Sequence, residues 1–272
     1  MGGITRLLLL LWAGVTVSTA MDLHKRIIGG RECPHNERLY HVKITDDADD
    51  ILCGGSLISN QWFLTAAHCL QDSMTVFLGA HPGPEREVQI TTHEIFRDNR
   101  DRPHDIMLVR LSHPTNIIPV RLPDCAHRPN IGDTVQIAGH GPTAAGPQGE
   151  RDYIYLDEHV ESSTLQCADT TVVDCQRVRD LVGYIDPDKL YQHLICGQRH
   201  GVDTCPGDSG GGVVYNGMIY GVISFGVKLA PACVDTDGYM DVCAYKDWIE
   251  SKTGSIFTKI AKALSCVGCP KL

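Results

Sequence analysis

The sequence predicts an all-β protein, built either as a sandwich or as barrels. Three observations support this class: runs of four to eight residues rich in β-branched and aromatic side chains recur along the chain, turn-forming Gly, Pro and Asn separate them, and sustained helical spacing occurs only after Tyr245. A parallel α/β sheet is disfavoured, because its strands alternate with long helical segments.

The predicted strands follow one another through most of the chain. They are the runs 41-HVKIT, 53-CGGSLIS, 61-QWFLTAA, 75-TVFLGA, 87-EVQITTHEIF, 106-IMLVRL, 134-TVQIAG, 193-HLICG and 239-YMDVCAY. The clearest hairpin spans residues 211–226, where Asn216-Gly217 lies between two β-rich arms and suits a two-residue turn with positive φ. Beyond Tyr245, apolar residues from Trp248 to Leu264 recur at helical spacing and predict a C-terminal helix.

Composition and charge limit the classes of function. The chain has 272 residues, 43% of them hydrophobic and 21% charged, which is enough apolar material for one large domain or two ordinary ones. Its formal net charge is −9, and it contains no basic tract. Nucleic acid is therefore excluded as the main partner, because phosphate binding needs clustered Lys and Arg.

The first twenty residues have the pattern of a secretory signal peptide. Arg6 makes the start positive, residues 7–17 (LLLLLWAGVTV) are apolar, and residues 18–20 (STA) form a small-residue cleavage site. A transmembrane anchor is the alternative, but the apolar run is about half of the ~20 residues that a spanning helix needs. We therefore expect a secreted, extracellular protein that loses residues 1–20 and has no membrane partner.

The chain contains 12 cysteines, which are scattered among apolar segments. In an oxidising compartment such cysteines form disulfides more often than they bind metal. Their spacing alone does not determine which cysteines pair.

The segment 203-DTCPGDSGGG-212 places Ser209 among glycines, and this serine is either a turn residue or a nucleophile. Residues 207–211 fit the G-x-S-x-G pattern of α/β-hydrolases, but that fold carries its catalytic histidine after the serine. The last histidine of this chain is His200, so the α/β-hydrolase interpretation is rejected. A hydroxyl needs an imidazole to take its proton, and the imidazole needs a carboxylate to orient it. His68 in TAAHC and Asp105 in DIMLVRL are the candidates for these two groups.

TAAHC, DIMLVRL and GDSGG in this order, together with IIGG at residues 27–30, resemble the trypsin-like serine proteases of the chymotrypsin fold. The resemblance covers almost the whole mature chain. It implies two six-stranded antiparallel β-barrels, at about 27–130 and 131–245, followed by a C-terminal helix and a Cys-containing tail at 246–272. It also implies that Ser209 is the nucleophile, His68 the general base and acid, and Asp105 the orienting carboxylate. The backbone N–H groups of Gly207 and Ser209 would form the oxyanion hole.

The resemblance further implies a zymogen. Residues 21–26 would be a propeptide, and an activating protease would cut after Arg26. The new ammonium group of Ile27 would then pair with Asp208 and order the oxyanion loop. His104 and His200 are interpreted as bystanders.

Asp203, six residues before Ser209, matches the position of the carboxylate at the floor of the trypsin specificity pocket. Ser224, Gly226 and Gly238 would line its walls. The resemblance therefore implies cleavage of protein or peptide substrates after Arg or Lys. The implied disulfides are Cys53 with Cys69, Cys33 with Cys167, Cys125 with Cys243, Cys175 with Cys196, and Cys205 with Cys233, which leaves Cys266 and Cys269 in the tail.

Several residues depart from the family pattern. His140 and Phe225 replace usual tryptophans, Pro206 precedes the oxyanion glycine, and two segments that border the substrate cleft, 176–192 and 227–232, are longer than usual. Residues 79–88 lack the first acidic ligand of the family's calcium loop, so we expect no metal and no other cofactor. The alternative function is a non-catalytic or weakly active homologue that acts by binding, with Pro206 and the long loops altering its cleft. Protease inhibitors are further expected partners.

Overall fold

The computed structural model describes residues 27–141, 164–225 and 235–254. Their strands form two antiparallel sheets. The first sheet contains β2 (His41–Thr45), β3 (Ile51–Leu57), β4 (Trp62–Thr65), β5 (Thr75–Leu78), β6 (Arg86–Val88), β7 (Ile90–Arg97) and β8 (Pro103–Leu111). The second contains β1 (Arg31–Glu32), β9 (Thr134–Gly139), β10 (Gln166–Val173), β11 (Leu194–Gln198), β12 (Gly212–Tyr215), β13 (Met218–Phe225) and β14 (Asp237–Asp241). The described helices are α1 (Gln176–Ile185) and α2 (Val242–Thr253).

The first sheet closes into a barrel because its two edge strands follow each other directly in sequence. Its strand order is β6-β5-β2-β3-β4-β8-β7. Only Gln89 separates β6 from β7, so these two edge strands are one bent strand and the barrel has six strands in practice. Its interior is filled by alternating apolar side chains such as Val42, Phe63 and Leu108, all fully buried.

The second sheet closes through hydrogen bonds. Its strand order is β1-β10-β11-β14-β13-β12-β9, and β9 also pairs with β10, which completes a ring of six strands. The two-residue strand β1 lies outside this ring on β10, so the N-terminal segment belongs to the second barrel although it precedes the first in sequence. The predicted all-β fold with two barrels and a C-terminal helix is confirmed.

Three elements differ from the sequence prediction. Helix α1 occupies a segment expected to be a loop, although Val178, Leu181, Val182 and Ile185 have helical spacing; only Val178 among them is buried, so the helix packs through a narrow contact. Strand β10 was not predicted, because its central residues are polar and its burial comes from pairing with both β9 and β11. Helix α2 begins earlier than expected, where Asp241 accepts a hydrogen bond from Cys243 N at 3.1 Å.

Four disulfides link the described residues. They join Cys33 to Cys167, Cys53 to Cys69, Cys125 to Cys243, and Cys175 to Cys196. These are four of the five pairs that the resemblance implies. In the fifth pair Cys205 is buried, whereas Cys233 lies outside the described residues, as do Cys266 and Cys269. Neither described helix is long and apolar enough to cross a membrane.

A buried arginine fastens the N-terminal segment to the second barrel. Arg38 is 4% exposed, and its guanidinium donates to the side chain of Gln136 at 2.8 Å, to the carbonyl of Gln136 at 2.6 Å and to the carbonyl of Gly212 at 2.8 Å. Gly212 lies three residues after Ser209, so Arg38 braces the strand that follows the candidate nucleophile.

Replacing Arg38 by alanine is expected to lower the free energy of unfolding by about 3 kcal/mol, because it removes the donor of one buried and two partly buried hydrogen bonds. Chemical denaturation measures this change. Arg31→Ala is the matched control, since Arg31 has a 59% exposed side chain and only a 3.7 Å ion pair with Asp169. We expect about 0.5 kcal/mol or less from this control, and equal effects of the two substitutions would contradict the bracing role of Arg38.

Candidate active site

His68 and Asp105 are joined by two hydrogen bonds. Asp105 lies on β8, and His68 lies in a short 3-10 turn, Ala67–Cys69, that follows β4. The backbone N–H of His68 donates to Asp105 Oδ1 at 2.8 Å, and His68 Nδ1 lies 2.8 Å from Asp105 Oδ2. The Asp105 side chain is 15% exposed and that of His68 is 46% exposed, so the carboxylate is shielded while the outer edge of the imidazole faces solvent. This arrangement holds the ring with Nδ1 turned inward and Nε2 free for chemistry.

Two further residues orient Asp105. The hydroxyl of Ser224 donates to Asp105 Oδ2, and the backbone N–H of Asp105 donates to Gln192 Oε1 at 3.0 Å. The resemblance placed Ser224 in a pocket wall, and the structure adds a contact with the Asp105 carboxylate. The sequence did not indicate Gln192, because it lies in a long segment without a motif. Its burial, at 3% exposure, becomes visible only in the structure.

Ser209 lies against strand β3 and against the turn that carries His68. Its carbonyl accepts from Gly54 N at 2.7 Å and is 3.8 Å from Cys69 Sγ, the residue next to His68. The following residue, Gly210, has a positive φ of 82°, and a Cβ there would collide with the carbonyl of Gly54 and the hydroxyl of Thr65. Within the described ranges, no hydrogen bond joins Ser209 Oγ to His68 Nε2. The structure therefore brings the serine backbone to the histidine turn without engaging the hydroxyl.

The loop before Ser209 presents two backbone donors. Gly207 has a φ of 94°, which glycine adopts at no steric cost. The N–H group of Asp208, which lies between Gly207 and Ser209, donates to Cys205 O at 3.0 Å. In the part of the chain that the structure describes, neither Gly207 N nor Ser209 N donates to a protein acceptor.

The side chain of Asp208, in the same loop, is fully buried. Its Oδ1 accepts from Gly141 N and its Oδ2 from Cys205 N, both at 2.8 Å. Burial raises the pKa of Asp208 to about 7, because a charge is poorly solvated there. Ile27 is also fully buried, in the apolar core of the second barrel, whereas Arg26 lies outside the described residues.

The expected specificity pocket is only partly described, because Gly226 lies outside the described residues. Asp203 is fully buried, and its N–H donates to Ile28 O at 3.1 Å. A Cβ at Gly238 would lie 3.1 Å from both Phe225 and Val178, so this residue faces α1. Successive residues of a strand face opposite sides, which turns the preceding Asp237 to the other face.

The remaining histidines and the cysteine pair have other roles. His104 is 2% exposed, and its Nδ1 lies 2.7 Å from the hydroxyl of Tyr245; burial lowers its pKa. His200 is exposed, and His140 is buried with its ring 5.2 Å from that of His41. Cys53, His68 and Cys69 are grouped at metal-ligand distances, but the two cysteines form a disulfide and offer no thiolate.

A family model described as Trypsin matches residues 27–249. The chain belongs to the trypsin family. It is similar to kallikrein-8 of Mus musculus, with 31% identity over 90% of this chain and 93% of that one, and to the thrombin-like enzyme CPI-enzyme 2 of Gloydius ussuriensis, with 32% identity over 86% and 90%.

The solved structure of neuropsin, a serine protease expressed in mouse brain, superposes with a TM-score of 0.66 at 29% identity, covering 82% of this chain and 98% of the other. This trypsin-family chain is therefore a serine endopeptidase of the chymotrypsin fold, and its substrates are proteins or peptides. The family match also explains why His68 and Asp105 meet although 37 residues separate them in sequence.

Proposed function

We propose that this protease is secreted as a zymogen, is activated by cleavage after Arg26, and hydrolyses peptide bonds after Arg or Lys through Ser209, His68 and Asp105. The observation that carries the proposal is the two-point contact between His68 and Asp105, held beside the backbone of Ser209. Secretion is supported by the signal-peptide pattern of residues 1–20.

The chemistry follows from this geometry. His68 Nε2 takes the proton of Ser209 Oγ as that oxygen attacks the substrate carbonyl, and Asp105 stabilises the imidazolium that forms. The N–H groups of Gly207 and Ser209 stabilise the oxyanion of the tetrahedral intermediate. His68 then protonates the leaving amine. In deacylation water takes the place of the amine: His68 accepts a proton from the attacking water and then returns a proton to Ser209 Oγ as the acyl group leaves. The Ser209 hydroxyl engages His68 in the processed, substrate-bound enzyme, where catalytic hydrogen bonds tighten.

Activation depends on Asp208. Its buried carboxylate accepts hydrogen bonds from two backbone N–H groups, and an ion pair with a cation would offset the solvation that the charged form loses. Cleavage after Arg26 creates an ammonium group on Ile27, which pairs with Asp208 and stabilises the turn that carries Gly207 and Ser209. The activating protease and protease inhibitors are accordingly partners of this protein.

Specificity for Arg or Lys is supported by Asp203, a buried carboxylate six residues before Ser209. A buried carboxylate favours a long cationic side chain, because the ion pair replaces the solvation that both groups lose.

The test uses precursor cleaved after Arg26 and a chromogenic amide with Arg before the scissile bond. We expect hydrolysis by the processed protein and a loss of about 10⁴-fold or more in kcat with Ser209→Ala. Hydrolysis that survives this substitution would reject Ser209 as the nucleophile. An inactive processed protein whose Ser209 does not react with a fluorophosphonate would favour the binding function.

A further inference from the structure

A second carboxylate lies beside the residues of the expected specificity pocket. Asp237, the first residue of β14, is 4% exposed. Its Oδ1 accepts a hydrogen bond from the hydroxyl of Thr204 at 2.8 Å, and Thr204 directly follows Asp203. Asp237 therefore reaches across from β14 to the loop that carries the pocket floor.

Strand pairing fixes the direction of this side chain. Asp237 pairs with Gly197 of β11, and Gly238 pairs with Cys196. Because Gly238 opens toward Phe225 and Val178, the Asp237 side chain occupies the opposite face of the sheet, which is the face of Thr204.

Asp203 and Asp237 also share a neighbour. The hydroxyl of Tyr239 is buried, and burial raises its pKa well above the ordinary range. The charges of Asp237 and Asp203 raise it further, so both carboxylates lie within electrostatic range of the same phenol.

A third carboxylate near the start of β14 has a different environment. Asp235 forms a two-point ion pair with Arg177 of α1, at 3.1 Å to Nε and 2.9 Å to Nη2. Asp235 is 7% exposed, but its charge is compensated by Arg177, whose side chain is 59% exposed, which makes Asp235 a suitable control.

We propose that Asp237 is a specificity-determining residue, and that it forms a doubly acidic pocket with Asp203 for the cationic side chain of the substrate. The inference deepens the proposed function and rests on it. Two neighbouring carboxylates repel each other. A bound guanidinium or ammonium group relieves that repulsion through ion pairing, without proton transfer. The same pair of charges disfavours uncharged and acidic side chains.

Asp237→Asn tests the inference, because asparagine keeps the shape and an acceptor for Thr204 but removes the charge. We expect kcat/KM for an Arg amide to fall about tenfold or more, while kcat/KM for an ester with an uncharged side chain changes less than about twofold. In a Ser209→Ala background, the fluorescent cation p-aminobenzamidine is expected to bind about tenfold more weakly to the Asp237→Asn protein.

Asp235→Asn is the matched control, with both values expected within about twofold of the parent. Thermal unfolding and fluorophosphonate labelling of Ser209 verify that each variant is folded and has an intact nucleophile. Parallel changes for the Arg and uncharged substrates, or unchanged binding of p-aminobenzamidine, would overturn the role of Asp237. Failure of the parent enzyme to cleave after Arg or Lys would instead reject the proposed function, since the binding measurement does not depend on catalysis.

Discussion

Replacing Asp105 by asparagine is expected to lower kcat of the processed enzyme about 10⁴-fold, the size of effect that this substitution has in the template Ser-His-Asp triad. The two carboxylate oxygens accept from the backbone N–H and from Nδ1 of His68, and Oδ2 also accepts from Ser224. An amide offers one acceptor oxygen in their place, and its NH₂ group favours the tautomer that carries the proton on Nε2. In that tautomer the imidazole cannot take the proton of Ser209. Steady-state hydrolysis of the Arg amide measures the loss.

Asp101→Asn is the control for this experiment. Asp101 lies in the turn before β8, its side chain is 85% exposed, and its 3.6 Å ion pair with Arg97 is a surface contact. It adopts a positive φ of 61°, which asparagine tolerates. We expect its kcat to stay within about twofold of the parent. An Asp105→Asn enzyme that retains more than about one tenth of the parent kcat would contradict the role of Asp105.

The second large effect concerns Asp208 in the uncleaved precursor, kept intact by Ser209→Ala. The folded protein retains the proton on Asp208 up to about pH 7, whereas the unfolded chain loses it near the ordinary pKa of 3.8. The folded state therefore binds more protons between about pH 4 and pH 7, and the contribution of this group to the free energy of unfolding is lost as pH rises through that window. At about 1.4 kcal/mol per pH unit the loss is about 4 kcal/mol.

Asp208→Asn removes this titration. We expect the difference in unfolding free energy between the variant and the precursor to shift by about 4 kcal/mol in favour of the variant from pH 4 to pH 8. Denaturant unfolding at several pH values measures this shift. A pH-independent change in unfolding free energy caused by the asparagine side chain does not affect it. After cleavage we expect the ammonium of Ile27 to keep Asp208 ionised, so the shift in favour of the variant should disappear. In the background that retains Ser209, the cleaved Asp208→Asn enzyme should lose about 100-fold or more in kcat/KM. A pH-independent difference in the precursor would contradict the buried, protonated Asp208.

The sequence was most informative where chemistry demands particular residue types. Ser209, His68 and Asp105 were identified from three short motifs and their order, and the structure joins the last two by hydrogen bonds. Alternating apolar residues predicted most strands of both barrels, because each strand buries one face.

Elements with a weak local pattern needed the tertiary structure. Helix α1 was expected to be a loop, and strand β10 was missed, because polar residues such as Asp169 and Thr170 obscure the alternation that its pairing with β9 and β11 requires. Strand β1 joins the second barrel through a contact with residues more than a hundred positions away, which no local pattern encodes.

The sequence by itself determined the fold class, the candidate nucleophile, base and orienting carboxylate, and the candidate carboxylate for the pocket floor. Only the tertiary structure decided that Gln192 and Ser224 support Asp105, that Gly238 opens toward α1, and that Asp237 faces Thr204 beside Asp203. The physical reason is that the residue type at a single position determines which reactive group is present. The direction of a side chain and its neighbours depends on strand register and packing between segments that are distant along the chain.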